Sequence, residues 1–226
     1  MKTAILALAF VLACRSFDLA VGGEPAVKVV QKDPPAEVDS SLRKTVKPSA
    51  IQVLDGDQPV FEFWLSTEVA LQSKPESAAK AMDAIKQSAL LGLAVVNSDQ
   101  RDYKDGELPK GVYTMRFCLQ PQDGNHLGTA EFNYFAVLVQ AKNDPKLESL
   151  ANYKELVRAS RKDTANDHPI ILSLRPPSST DGDLPKLSEP APEHKSVRVK
   201  ISARVAGTGE ESSLIFELVF QGKGKT

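Results

Sequence analysis

Hydrophobic and polar positions alternate with a period of two over most of the chain, the signature of strands with one buried face. Ile51 to Leu54 and Val60 to Leu65 are two such segments around an Asp55-Gly56-Asp57-Gln58-Pro59 turn. Phe61, Phe63 and Leu65 fall on one face of the second. Leu90 to Val96 is apolar throughout and too short for a typical helix, which predicts a buried strand. The clearest alternation runs over Val112 to Gln120, where Tyr113, Met115, Phe117 and Leu119 oppose Val112, Thr114, Arg116 and Cys118. Phe132 to Gln140 and Ile170 to Leu174 follow as strands. Val197 to Val205 and Leu214 to Phe220 close the chain as a long hairpin around Gly207-Thr208-Gly209-Glu210-Glu211. Helical spacing is confined to two places. Pro75 to Lys86 is rich in helix formers and has Ser77 as a cap, and Asp144-Pro145 supplies an N-cap and N1 proline for a helix reaching Val157.

So many short strands without βαβ alternation predict a mostly β protein, an antiparallel β-sandwich, jelly-roll-like in outline, with one or two short helices. The expected organisation is a signal peptide over 1–22, a tether and edge strand over 23–49, and a single sandwich domain over 50–226. Within the tether only Ala26 to Val30 has strand character. The proline-rich stretch 175–195 is expected to be a loop excursion within that domain.

The first residues change the picture of where the protein works. Lys2 and the apolar run Thr3 to Ala13 form the positive and hydrophobic parts of a secretory signal, with small residues Ala20 and Gly22 before a cut at Gly23. Val11-Leu12-Ala13-Cys14 offers a competing lipobox, in which Cys14 would be lipidated. Either processing leaves Cys118 as the one usable thiol, so an exported periplasmic or secreted protein would be held by its core and not by an internal disulfide. The apolar run is about half the roughly 20 residues of a bilayer span, which argues against a transmembrane segment. The full chain has 28 basic and 29 acidic residues; removing 1–22 takes away Lys2, Arg15 and Asp18 and leaves 26 and 28. That balance excludes the basic surface that nucleic acid demands.

Candidate chemistry is sparse. His126, in Asp123-Gly124-Asn125-His126, and His168, in Asn166-Asp167-His168-Pro169, sit in loops at strand ends. With Asp123 or Asp167 they could hold a divalent metal if the fold joined the two loops, although the spacing contains no His-Glu-x-x-His or His-x-His signature. Otherwise they fix turns through backbone hydrogen bonds. Cys118 lies in mid-strand, where a thiolate is not stabilised, and reads as a small hydrophobe. The carboxylate pairs Glu62 with Glu68 and Asp55 with Asp57 are numerically unsurprising among so many acids. Asp-Gly pairs at Asp55, Asp105, Asp123 and Asp181 lack the continuation of a calcium loop and read as turns. Trp64 is the single tryptophan and the obvious stacking platform for a sugar, unless it belongs to the core.

The blocks Lys110-Gly111-Val112-Tyr113-Thr114-Met115-Arg116-Phe117, Gln120-Pro121-Gln122-Asp123-Gly124-Asn125-His126-Leu127-Gly128 and His168-Pro169 occur in order. On these residues the chain resembles a family of uncharacterised exported bacterial proteins over about residues 50–175. The resemblance implies a β-sandwich behind a signal peptide and carries no reaction, substrate or cofactor. Cys118 stands where it leads one to expect glycine or another small residue. The resulting expectation is a non-enzymatic exported protein that needs no cofactor and binds an unidentified ligand or envelope partner through Asp123, Asn125, His126, Asp167 and His168. The alternatives are a metal-binding protein or metal-assisted hydrolase using His126, His168 and Asp123, and a carbohydrate-binding module using Trp64 or the exposed tyrosines.

Overall fold

A computed structural model describes residues 25–102, 106–121, 130–148, 150, 152–162, 164 and 168–222. The signal segment and Cys14 lie outside these residues. The strands are β1 (Pro25–Gln31), β2 (Ser49–Asp55), β3 (Gln58–Leu65), β4 (Val69–Leu71), β5 (Leu90–Val96), β6 (Gln100–Arg101), β7 (Glu107–Leu108), β8 (Gly111–Leu119), β9 (Tyr134–Gln140), β10 (Ile170–Arg175), β11 (Lys186–Ala191), β12 (His194–Val205) and β13 (Glu211–Gln221). The helices are α1 (Ser40–Arg43) and α2 (Tyr153–Arg161). The chain is thus mostly β and antiparallel with few helices, as the alternation predicts. None of its described helices is long and apolar enough to cross a membrane.

Apart from the β6–β7 pair, the strands form one 11-stranded sheet in the order β1-β2-β3-β5-β8-β9-β10-β13-β12-β11, with β4 added to β12. All its pairs are antiparallel but β4–β12. The sheet curls on itself. Phe61 of β3 and Phe220 of β13 meet with ring centroids 5.6 Å apart, and the end strands β1 and β11 come within 8 Å between Cα atoms. The enclosed face is the main core, in which Phe61, Phe63, Tyr113, Phe117 and Phe216 are fully buried. One end of this enclosure is a cavity of about 670 Å³ lined by both Pro25 and Gly222, the two ends of the described chain.

The outer face is covered in two places. Trp64 and Leu93 point outward and are buried by Val38, Leu42 and Val46. Trp64 Nε1 donates to Lys32 O at 2.8 Å, while the Lys32 ammonium pairs with the buried Glu62 at 2.7 Å and Gln52 donates to the same carboxylate. Residues 25–48 are therefore an integral wall and not a tether: β1 pairs with β2 from Pro25↔Asp55 to Gln31↔Ser49, and the segment after it straps the outer face. The edge position expected of β1 does hold. The second covered area lies under α2, where Leu156 packs on Cys118, Phe135, Val137, Val139 and Ile171.

Three other expectations change. The helix expected over 75–86 shrinks to a single 3-10 turn at Ala81–Ala84, although Ser77 Oγ does accept from Lys80 N at 3.3 Å. Ile85 leaves the turn extended and bridges Leu71, and that burial outweighs the propensity of a short helix, whose nucleation is costly. The second helix starts at Asn152 and not at Asp144, because the Asp144 carboxylate is taken by Arg116 and Thr114 and cannot cap. The 175–195 stretch is not all loop, since Lys186–Ala191 pairs with β12.

Tyr134 ties the 3-10 turn to β9 by donating to Asp83 Oδ1 at 2.6 Å. Burial, and then the hydrogen bond to Asp83 and its charge, push the phenol up to about 12. A free tyrosine ionises near 10, so the folded state holds this proton more tightly. Its stabilising contribution is complete below about pH 10 and is lost as pH rises through about 12. The melting-temperature gap between the parent protein and Tyr134→Phe is expected to shrink across that window; a constant gap would show that the Asp83 contact is not responsible.

Candidate functional site

Of the residues singled out from the loops, Asp123, Asn125, His126 and Asp167 lie outside the described residues, so the joining of the two loops into one site is not on view. His168 is described and exposed, with its Nδ1 2.9 Å from the carbonyl oxygen of Pro169. That is the local backbone contact a turn-fixing histidine makes. Among the described residues no three of His, Cys, Asp and Glu come together as a metal-ion site.

His168 nevertheless stands beside a cavity. Between α2 and the outer face of β8, β9 and β10 lies a space of about 310 Å³, lined by Cys118, Gln120, Pro121, Phe135, Val137, Tyr153, Val157, Arg161, His168, Pro169 and Ile171. Helical geometry explains one wall: Tyr153, Val157 and Arg161 are four apart and share a stripe. Leu156 and Ser160, offset from that stripe, make the attachment to the sheet. Ser160 Oγ donates to Leu138 O at 2.6 Å and accepts from Ile170 N at 2.9 Å, so one hydroxyl binds the helix to β9 and to the start of β10. Asn152 caps the other end by accepting from Glu155 N at 3.0 Å. Ser160 thus fastens the C-terminal half of the helix to the sheet, and Pro121 and His168 complete the lining of the space beneath it.

The walls are mainly apolar, with Gln120, Tyr153, Arg161 and His168 as the polar members. Cys118 is the one thiol in them. Burial pushes its thiol up, against a smaller opposing effect of the Gln87 amide, whose Nε2 lies 3.4 Å from Sγ. The thiol stays protonated at neutral pH, which fits a wall residue and not a thiolate nucleophile.

Other candidates are absorbed by the fold. Trp64 has no exposed face, so it cannot stack a sugar, which removes it as the platform of a carbohydrate-binding reading. Glu62 is buried against Lys32, whereas Glu68 pairs with Arg204 at the surface at 2.8 Å, so these two carboxylates serve separate ion pairs. The Asp-Gly pairs at 55 and 181 are turns, with Gly56 and Gly182 at positive φ.

The cavity lining was missed in the sequence, yet a signal was present. Phe132 to Gln140 is apolar on both faces, and a strand with two apolar faces needs a cover on its outer side. No family model, curated protein or solved structure matches the chain.

Proposed function

We propose that the protein is an exported, non-enzymatic binding protein that takes a small, mainly apolar ligand in the cavity beneath α2, whose lining includes the candidate residue His168. The observation that carries this reading is the 310 Å³ space with apolar walls from three strands and a helix and its few polar groups. That combination is the usual make-up of a small-molecule site, in which apolar area supplies affinity and a few polar groups fix orientation. The protonated state of Cys118 supports reversible binding over covalent chemistry.

Indole is a suitable probe. In methyl NMR spectra of the whole protein, indole is expected to shift the Val137, Val157 and Ile171 signals and to saturate at about millimolar concentration, the range open to so small a ligand. Val157→Trp, which fills the cavity from the helix side, is expected to abolish these shifts while the rest of the spectrum is retained, and Ile171→Phe should do the same from the sheet side. Shifts elsewhere, no shifts, or shifts that survive both folded variants would overturn the proposal.

A further inference from the structure

The curled sheet has an interruption on the free side of β12. β11 pairs with β12 as far as Lys186↔Arg198, and β4 pairs with it from Val69↔Ala203 onward. Residues 199–202 between them have no strand on that side among the described residues. The chain preceding β11 does not pair there: two buried charges draw residues 178–181 over the outer face, and residues 182–185 line the place without pairing to β12. Arg198 donates to Ser179 O at 2.7 Å and to Asp181 O at 2.8 Å, and Glu217 accepts from Ser178 N at 3.0 Å and Ser178 Oγ at 2.7 Å. Ser196 Oγ, at 2.9 Å, completes the Glu217 carboxylate.

Across the interruption stands β1, which among the described residues pairs only with β2, leaving its other edge without a strand there. The space between is a cleft of about 610 Å³ whose accessible apolar lining is Val29 with the half-buried Leu184, Pro185 and Ile215, backed by the core residues Ile51, Leu65 and Val199. Val29 is 51% exposed, the most exposed large hydrophobic side chain among the described residues. The two bordering strands run the same way: Pro25 and Lys195 share the cavity at one end, and Val29 and Val199 share this cleft. A strand entering between them would be antiparallel to both, the pairing used almost throughout this sheet. Four residues span about 13 Å at ~3.3 Å each, which sets the length of the docked core.

Charge selects the occupant further. Lys47 and Lys200 line the cleft and among the described residues neither makes a salt bridge or side-chain hydrogen bond, while Asp183 is the one acid in the described lining. We propose that this slot accepts an extended strand from a partner protein, with about four residues of alternating apolar side chains flanked by Asp or Glu. Main-chain hydrogen bonds to the free edges would give affinity, the apolar lining would take alternate side chains, and the lysines would meet the flanking carboxylates.

Panning a phage-displayed library of random peptides against the whole protein tests this site. Enrichment of alternating apolar peptides with acidic flanks is expected. A synthetic peptide of the enriched sequence should slow amide hydrogen exchange in β1 and over 199–202. Its affinity should fall about tenfold or more in Lys200→Glu, at an exposed position, and in the half-buried Lys47→Glu, whose folding is checked by its melting temperature. It should be unchanged in Val157→Trp, which separates this site from the cavity under α2. No enrichment, protection elsewhere, or indifference to both charge reversals would overturn the proposal. So would a dimer in sedimentation that Lys200→Glu dissolves, since the slot would then belong to a second copy of this chain.

Discussion

Asp144→Ala is expected to destabilise the protein by about 3–5 kcal/mol in urea titration, the cost of stranding a buried charge. Arg116 is 2% exposed and Asp144 0%, and the pair is bidentate: Nε reaches Oδ2 at 2.6 Å and Nη2 reaches Oδ1 at 2.9 Å. The guanidinium also donates to the carbonyls of Ser88, Lys146 and Leu147, and Thr114 Oγ1 donates to Asp144 at 2.6 Å. Removing the carboxylate therefore leaves a cation with acceptors but no counter-charge, far from water. The double variant Arg116→Met, Asp144→Leu is expected to be less damaged than the sum of its single changes, because two apolar side chains abolish the unpaired charge. A loss below about 1 kcal/mol in Asp144→Ala would show that the site admits water.

Gly92→Ala is the second large effect, expected to cost about 3 kcal/mol or more or to prevent folding. Gly92 has φ +153°, and a Cβ there would lie 2.1 Å from the backbone oxygen of Trp64. The obstacle is main chain, so no rotamer change relieves it. The position also coincides with a register shift in the β5–β8 pairing between Leu90 and Gly92, where a glycine lets the strand bend. Val95→Ala, three pairs further along and half-buried, is the control and should cost about 1 kcal/mol. Equal melting temperatures for Gly92→Ala and the parent would refute the close-approach argument.

The strands were legible because their reason is local. Leu90–Val96 appears with the bounds expected, and the Phe61, Phe63 and Leu65 face enters the core while Trp64 turns outward. The final hairpin pairs across ten residues of β12, from Lys195↔Gln221 to Arg204↔Glu211. The helices were less legible because distant residues decide them: Asp144 looks like a cap until Arg116, 28 positions earlier, takes its carboxylate. Residues 32–48 looked like a tether because their polar, proline-bearing sequence shows only Val38, Leu42 and Val46 to bury, and Trp64, which they cover, lies on another strand. Neither the cavity under α2 nor the slot beside β12 has a motif. Each arises where elements far apart in sequence leave space between them.

The shared location of Pro25 and Gly222 at one end of the curled sheet has a mechanical meaning. Tension applied between the two ends would act across the strands, peeling β1 from β2 a hydrogen-bonded pair at a time, beginning at Pro25↔Asp55, instead of shearing all seven pairs together. A pull along the strands would load those bonds in parallel, but a pull between Pro25 and Gly222 would meet them one pair at a time.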